Sequence, residues 1–192
     1  MKSWMTLGSS QVHDAANGES FDIEATFRRH RGDLERWATR LGGPLVDAED
    51  VAQEVMMVAH ARLPKFRHEA QVTTWLFKTT RNIAATHRRR ERIRRWLRGM
   101  PLDYAVDLQA QGPSVLEEME RQEAAAEVYS ALDKLTEKYR SVLILFEIEG
   151  LSGEEIAALT GTSLATVWVH LHRGRQKFKV HYQALLEKRG QP

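Results

Sequence analysis

The stretch from Leu151 to Lys179, LSGEEIAALTGTSLATVWVHLHRGRQKFK, constrains the fold of this chain more than any other feature. Its apolar residues recur at spacings of three and four, which predicts two helices. Gly161 lies between them and supplies the backbone freedom that a sharp turn needs. Thr162 and Ser163 are residue types that favour the start of the second helix. The inward stripe of that helix is predicted to be Leu164, Val167, Leu171, Gly174 and Phe178. The pattern is typical of a helix-turn-helix whose second helix enters the major groove of DNA.

The opposite face of the second helix carries the residues that we predict to contact DNA. These are Ala165, Thr166, Trp168, Val169, His172, Arg173 and Gln176. Two short amphipathic helices around a glycine also occur as an ordinary corner of a helical bundle, so the pattern alone leaves that alternative open. Charge favours DNA, because the chain has no Asp or Glu between Ile156 and Leu186 while basic residues crowd the second helix.

The composition excludes several classes of protein. A chain of 192 residues suits one or two domains of roughly 100 residues each. Because it has no cysteine, it has no disulfide framework, no thiolate nucleophile and no cysteine zinc site. No run of about 18 apolar residues is present. Residues 1–20 lack the apolar core of a signal peptide and are predicted to be a flexible N-terminal segment. We therefore expect a cytoplasmic protein.

The charges are segregated along the chain, and their distribution marks the domains. Residues 81–98 hold eight arginines and one glutamate, whereas residues 99–127 hold seven acidic residues and one arginine. Helical periodicity with short connections predicts an all-α protein made of two small helical domains joined by a flexible linker. We predict a first domain at residues 21–98, an acidic linker at 99–120 and a helix-turn-helix domain at 121–192.

The third predicted helix, from about Thr74, is a second candidate for binding nucleic acid. No acidic residue lies between Gln71 and Arg90, and aromatic residues occur at Trp75, Phe77 and Trp96. A basic surface with aromatic faces suits single-stranded or partly opened nucleic acid, because unstacked bases find flat partners there. The alternative reading is that Trp75 belongs to the core and that the arginines form a solvated helix end.

Three motifs in this order resemble the extracytoplasmic-function group of bacterial sigma factors. They are DAEDVAQEV, FRHEAQVTTWLFKTTRN and the helix-turn-helix, and the resemblance covers about Phe21 to Leu186. It implies an N-terminal domain that binds the clamp helices of the RNA polymerase β′ subunit and melts the minus-ten promoter element. It also implies a C-terminal domain that binds the β flap and reads the minus-thirty-five element.

The resemblance assigns roles to particular residues of the first domain. Asp50, Gln53 and Glu54 match the acid-Gln-Glu pattern of the clamp-binding helix, although an exposed helix face would look the same. The residues assigned to the minus-ten element and its melting are Trp75, Lys78, Arg81, Asn82, Arg88 and Arg89. The loop from Phe66 to Thr73 is expected to form much of a pocket for a flipped-out base.

The recognition helix departs from the common pattern of this family. Members often read GTVRSRLHRAR, whereas this chain reads ATVWVHLHRGR from Ala165. Trp168, Val169 and His170 stand in place of two positive residues and a serine. We therefore predict weaker phosphate anchoring near the start of the helix and more apolar readout, for instance of thymine methyl groups. Gly174 replaces the usual alanine and should loosen the helix slightly.

Two other classes of function fit the sequence less well. Catalysis is not expected, because the chain lacks the HExxH, Walker and G-x-S-x-G motifs, and no cofactor is implied. His170 and His172 cannot share a metal ion, since residues two apart on a helix point about 200° apart. A stand-alone helix-turn-helix regulator would bind DNA without stable association with polymerase. The partners expected here are core RNA polymerase, promoter DNA and an anti-sigma factor that holds the inactive protein at the inner membrane. No small-molecule substrate is expected.

Overall fold

The computed structural model describes residues 23–62, 72–99 and 115–189. Within these ranges every regular element is helical and none is a strand, which confirms the predicted all-α class. The helices are α1 (Ile23–Gly42), α2 (Ala48–Arg62), α3 (Val72–Leu97), α4 (Val115–Leu132), α5 (Glu137–Leu143), α6 (Gly153–Thr160) and α7 (Leu164–Arg189). A π-helical turn at Ile144–Ile148 continues α5. The N-terminal segment 1–20 and most of the loop Phe66–Thr73 lie outside the described residues.

The first three helices pack on one another as their apolar periodicity predicts. Leu34, Trp37, Ala38 and Leu41 of α1 are buried. In α2 the Asp47 carboxylate accepts a hydrogen bond of 2.8 Å from the backbone N–H of Glu49 and so caps that helix. The ring of Phe77 in α3 meets Trp37 edge-on, with the two centroids 5.4 Å apart. Phe77 is fully buried, so the prediction that it offers an aromatic face to nucleic acid is wrong.

The C-terminal helices form a second layer around α5. The end of α5 and the π-helical turn that follows contribute four consecutive buried residues, Val142, Leu143, Ile144 and Leu145. They join the same core as Val167 and Leu171 of the inward stripe predicted for α7. Leu164 at the start of that stripe is 36% exposed, so its predicted inward position is wrong. Gly174 faces the side chain of Leu143, and a Cβ at this glycine would lie 3.2 Å from it. The glycine therefore allows α5 and α7 to pack closely, although it also lowers the helix propensity of α7.

The boundary of the predicted linker needs a correction. Helix α4 begins at Val115, so residues 115–120 are helical and do not belong to an irregular linker at 99–120. The remainder of that segment, residues 100–114, lies outside the described residues. The first eight residues of α4, VLEEMERQ, hold four charged residues and only three apolar ones, and the helix begins earlier than the predicted boundary.

The two groups of helices are packed together. Their buried residues form a single apolar cluster that runs from Leu34 in α1 to Leu171 in α7. Polar contacts join α1 and α3 to the C-terminal helices, as described below. No sequence pattern predicts this placement.

Candidate nucleic-acid interface

The helix-turn-helix is built by local signals that the sequence displays. Ser152 starts α6 with a capping box, in which its hydroxyl accepts from the backbone of Glu155 and the Glu155 carboxylate accepts from the backbone of Ser152. Those bonds lower the pKa of Glu155. Gly161 ends α6 in the left-handed conformation, with φ of 62°. Ser163 then accepts a hydrogen bond of 3.2 Å from the backbone N–H of Thr166 and so caps α7.

The outer face of α7 presents the predicted DNA-contacting residues to solvent. Six of them are exposed, and Thr166 is half-buried: the exposed residues are Ala165, Trp168, Val169, His172, Arg173 and Gln176. The side-chain nitrogen Nε2 of Gln176 lies 3.1 Å from Nε2 of His172. The prediction that this face points outward is confirmed, while its contact with DNA stays a prediction.

Trp168 is anchored on one side although it is 46% exposed. Its ring meets Phe146 edge-on at 5.9 Å between centroids. The other neighbour is Gly153 at the start of α6, where a Cβ would lie only 2.8 Å from the indole. Arg175 stacks over Phe146 and pairs with Glu147 at 2.7 Å. The indole is therefore held by the first helix of the motif, and its remaining edge faces outward beside Val169.

The inner edge of α7 is tied to α5 through Tyr139. The ring of His170 meets Tyr139 edge-on at 5.5 Å. Burial of His170 lowers the pKa of its imidazole, and the nearby charges of Lys138 and Arg173 lower that pKa further. A hydrogen bond from Arg173 lowers the pKa of Tyr139. His170 therefore packs on α5 as a neutral residue.

The residues of α3 that are predicted to bind the minus-ten element lie in different environments. Asn82 and Arg89 are exposed, and Arg81 is half-buried with its guanidinium 3.5 Å from the Asn82 amide oxygen. Trp75 is partly buried against the core, as the alternative reading expects in part, and its contact with nucleic acid stays a prediction. Lys78 lies beside Gly161 of the helix-turn-helix, where a Cβ would come within 2.9 Å of its amino group.

Arg88 does not join that surface. It is 5% exposed, and its guanidinium donates to the carbonyl of Leu41 and to Glu137, with Asp133 at 3.3 Å. In this arrangement Arg88 cannot touch DNA, and the prediction that groups it with Arg89 is corrected accordingly. The sequence shows an unbroken row of arginines, but only the fold distinguishes the buried one from its neighbours.

The residues predicted to bind polymerase lie together on α2. Asp50 and Gln53 are exposed, and Glu54 is half-buried. The imidazole of His87 in α3 lies 2.8 Å from the Glu54 carboxylate and fixes its position. Sequence reasoning missed His87 as a partner of Glu54, because no pattern connects residues 33 positions apart on different helices.

The described residues give no support for a metal site or a membrane span. Within the part of the chain that the structure describes, no group of three or more His, Asp or Glu side chains could hold a metal ion. None of the helices in residues 23–62, 72–99 and 115–189 is long and apolar enough to cross a membrane.

Two protein-family descriptions match the chain at the positions of these two surfaces. Residues 26–94 match "Sigma-70 region 2", which covers α1 to α3. Residues 125–178 match "Sigma-70, region 4", which covers the helix-turn-helix.

Several proteins are similar to the chain over most of its length. It is 35% identical to the ECF RNA polymerase sigma factor SigE of Mycolicibacterium smegmatis over 79% of the chain. The match spans 58% of SigE, less than two thirds of that protein. The chain is 32% identical to EcfG of Rhodopseudomonas palustris over 75% of the chain and 76% of EcfG. It is also 32% identical to the RNA polymerase sigma factor CnrH of Cupriavidus metallidurans, over 91% of the chain and 93% of CnrH.

Two solved structures share the fold. One is CnrH in complex with the cytosolic domain of CnrY, with a TM-score of 0.51, 24% identity and coverage of 84% of this chain and 88% of that one. The other is the sigma factor RpoE of Bartonella quintana in complex with the anti-sigma factor NepR. Its TM-score is 0.52 at 23% identity, with coverage of 84% and 96%.

Proposed function

The chain belongs to the sigma-70 family of RNA polymerase sigma factors, in its extracytoplasmic-function group, and on that premise we propose that it is an alternative sigma factor. It directs core RNA polymerase to specific promoters and helps to melt them so that transcription starts. The polymerase carries out the chemistry, and this chain catalyses no reaction of its own. The observation that carries the proposal is the exposed, acid-free outer face of α7 in the same chain as a region 2 domain.

In this proposal α7 reads the minus-thirty-five element in the major groove. Val169 and the free edge of Trp168 provide apolar contacts for thymine methyl groups. His172, Arg173 and Gln176 provide hydrogen-bond donors for base edges or phosphates further along the helix. The loss of positive charge at 168 and 170 favours a promoter sequence that differs from the family's commonest one.

The first domain captures and melts the minus-ten element through α3. Asn82 and Arg89 are exposed there, and Trp75 keeps part of its ring accessible. Extruding a base costs a few kcal/mol, so stacking and hydrogen bonds in a pocket must offset that cost. Arg88 has no direct role at DNA while it occupies its buried position.

Asp50, Gln53 and Glu54 on α2 bind the clamp helices of the polymerase β′ subunit, and the C-terminal domain binds the β flap. The support for the first contact is the shared outward face of α2 and the pairing of Glu54 with His87. An anti-sigma factor is a further partner, as RpoE of Bartonella quintana has in NepR. The chain is proposed to act in the cytoplasm and to be held at the inner membrane by such a partner when inactive.

The experiment that tests this function has two parts. The purified chain is mixed with core polymerase and passed over a sizing column, and we expect one complex of the two. Overexpressing the chain in its host and mapping transcript starts should then reveal a shared two-part promoter motif. A stand-alone regulator would bind the upstream motif as duplex DNA and elute apart from the polymerase, and that result would overturn the proposal.

A further inference from the structure

A small cavity lies between the end of α3 and the turn that joins α4 to α5. Its volume is about 50 Å³. A buried water needs about 10–15 Å³, so the cavity has room for a group of roughly four oxygen atoms, such as phosphate. The apolar side chain of Leu45, from the segment between α1 and α2, forms part of its wall. Of the residues assigned above to DNA, only the buried Arg88 lines this cavity, so the proposed function gives it no role.

The lining of the cavity is mainly cationic. Arg88, Arg92 and Arg95 contribute to it from α3, and Lys134 contributes from the turn. Among the described residues that line the cavity, Asp133 is the one acidic side chain. The lining therefore presents four positive charges and one negative charge to any molecule that enters.

The carboxylate of Asp133 is shared by three guanidinium groups. Its Oδ1 lies 3.3 Å from Nε of Arg88 and 3.1 Å from Nε of Arg140, and its Oδ2 lies 3.4 Å from Nη2 of Arg92. Charge-assisted hydrogen bonds between nitrogen and oxygen are ordinarily about 2.7–2.9 Å long, so these three contacts are all longer than a close ion pair. Arg140 also donates to the Leu41 carbonyl of α1 at 2.8 Å, which holds its guanidinium in place. One carboxylate thus serves three guanidinium groups and makes a close contact with none of the three.

The neighbouring carboxylates do not balance the positive charge. Glu137 pairs with Arg88, and Glu91 lies 3.9 Å from Arg95 but 2.6 Å from the exposed Arg94. Five cations at or beside the cavity therefore face three carboxylates, an excess of two positive charges. The cations are Arg88, Arg92, Arg95, Arg140 and Lys134, and the carboxylates are Asp133, Glu137 and Glu91. The side chains of Arg88 and Arg95 are only 5% and 13% exposed. Because buried positive charge is costly without a counter-charge, this arrangement favours a bound anion.

We propose that this cavity binds the phosphate group of a small molecule, which is either inorganic phosphate or a nucleotide. Guanidinium groups bind phosphate oxygens through paired N–H donors, and an ammonium group adds a point charge. Ser130, in the last turn of α4, also lines the cavity and adds a hydroxyl. Arg92 and Lys134 are exposed, so the cavity is open to solvent on their side and leaves room there for the remainder of a nucleotide. The site goes beyond the proposed function, since it needs neither polymerase nor promoter DNA.

Chemical labelling of lysines tests the site in the unchanged full-length protein. An amine-reactive reagent is applied in sodium chloride, inorganic phosphate or ATP at matched ionic strength, and peptide mass spectrometry measures the reaction rate of each lysine. A phosphate-bearing ligand at about ten times its dissociation constant should slow the reaction of Lys134 roughly tenfold relative to chloride. Lys138 is the internal control, because it is exposed one turn later but does not line the cavity. An unchanged rate at Lys134, or an equal slowing at Lys138, would overturn the proposal.

Substitution of the exposed cations tests the contacts themselves. Arg92→Gln with Lys134→Gln removes two positive charges from the lining and leaves the buried Arg88 in place. Calorimetric titration with inorganic phosphate or ATP should show an affinity lowered by at least about tenfold, because hydrogen bonds between charged groups are lost. The matched control is Arg90→Gln with Lys138→Gln, which removes the same two charges from exposed positions outside the cavity. Arg90 points about 200° away from Arg92 on α3. Equal losses in the two variants would mean that only net charge matters, and the site would be overturned.

The two probes distinguish the source of the phosphate group. Tighter binding of ATP than of inorganic phosphate, with competition between the two, assigns the cavity to a nucleotide. Binding of inorganic phosphate alone assigns it to the free anion, and either result supports the site. If neither probe binds above the chloride reference, the proposal is overturned. Circular dichroism of each variant verifies that its helices are intact, and the labelling of the unchanged chain decides the matter for a variant that does not fold. Because no polymerase or DNA is present, these results are independent of the proposed function.

Discussion

At the scale of single residues, the same side-chain type takes different roles within one turn of helix. Arg88 is buried between the end of α1 and the C-terminal helices, whereas its neighbour Arg89 is exposed and remains a candidate for DNA contact. On α7, His170 packs on Tyr139 while His172 faces outward. Position on the helix therefore decides the role, because residues one or two apart point to different sides of it.

The environment of His170 leads to a prediction about pH. Burial lowers the pKa of His170 below its ordinary value of 6.5, so the unfolded chain takes up this proton before the folded one. The contribution of the neutral imidazole to stability is complete above pH 6.5 and is lost as the pH falls below it. Urea unfolding at about pH 7.5 and about pH 5.5 should show a smaller loss of stability for His170→Gln than for the unchanged chain. Equal losses in the two proteins would contradict this account.

At the scale of elements, the recognition helix owes its placement to a glycine on the helix before it. Gly153 leaves room for the indole of Trp168 and for Leu164, which a Cβ would approach to 2.8 Å and 2.9 Å. The contact fixes both the angle between α6 and α7 and the direction of the Trp168 edge. Gly153 of α6 thereby affects which edge of Trp168 the recognition helix α7 presents to DNA.

Substitution at Gly153 tests this arrangement. Gly153→Ala should destabilise the protein by about 1–3 kcal/mol, because the added methyl group overpacks a filled site. It should also weaken binding of the upstream element by moving Trp168. Gly32→Ala is the matched control, since nothing lies within 4 Å of a Cβ there, and it should stabilise α1 by about 1 kcal/mol. Urea unfolding of both variants measures the difference, and an unchanged midpoint for Gly153→Ala would refute the packing argument.

The outer face of α7 gives a second prediction for this element. Replacing His172 and Arg173 together with alanine should weaken binding of the upstream element by about 1–3 kcal/mol, because two donors to DNA are lost. The affinity for core polymerase should survive. Arg175→Ala is the control, since it removes a charge from the same helix but one that is already paired with Glu147. Electrophoretic mobility shifts with holoenzyme, beside titration of core polymerase, make the comparison. A parallel loss of both affinities would mean that the face is misassigned or the fold disturbed.

The helices could be predicted from the sequence where the signals that form them are local. Apolar spacing and the turn at Gly161 each act within a few residues, and the structure confirms the helices that they predict. The start of α4 at Val115 was missed because its first eight residues, VLEEMERQ, hold four charged residues and only three apolar ones. The packing of Trp168 on Gly153 could not be predicted from the sequence either, since it depends on the angle between α6 and α7.

At the scale of the whole molecule, the domain arrangement had no signal in the sequence. Asp133, in the turn after α4, joins Arg88 of α3 to Arg140 of α5, and no sequence period relates these three residues. Charge segregation indicates that basic and acidic parts attract one another, but it does not select which arginine becomes buried. The same reasoning explains why Arg88 was grouped with DNA-contacting residues. Arg88 is buried only because the second domain packs against α3.

The central claim is that this chain gives core RNA polymerase its promoter specificity, and reconstituted transcription tests it most directly. Core polymerase is incubated with a promoter bearing the mapped two-part motif, with and without the purified chain, and the transcripts are measured. We expect transcripts only when the chain is present, and their loss when either the upstream or the downstream element is scrambled. Equal transcription without the chain, or with both elements scrambled, would contradict the account.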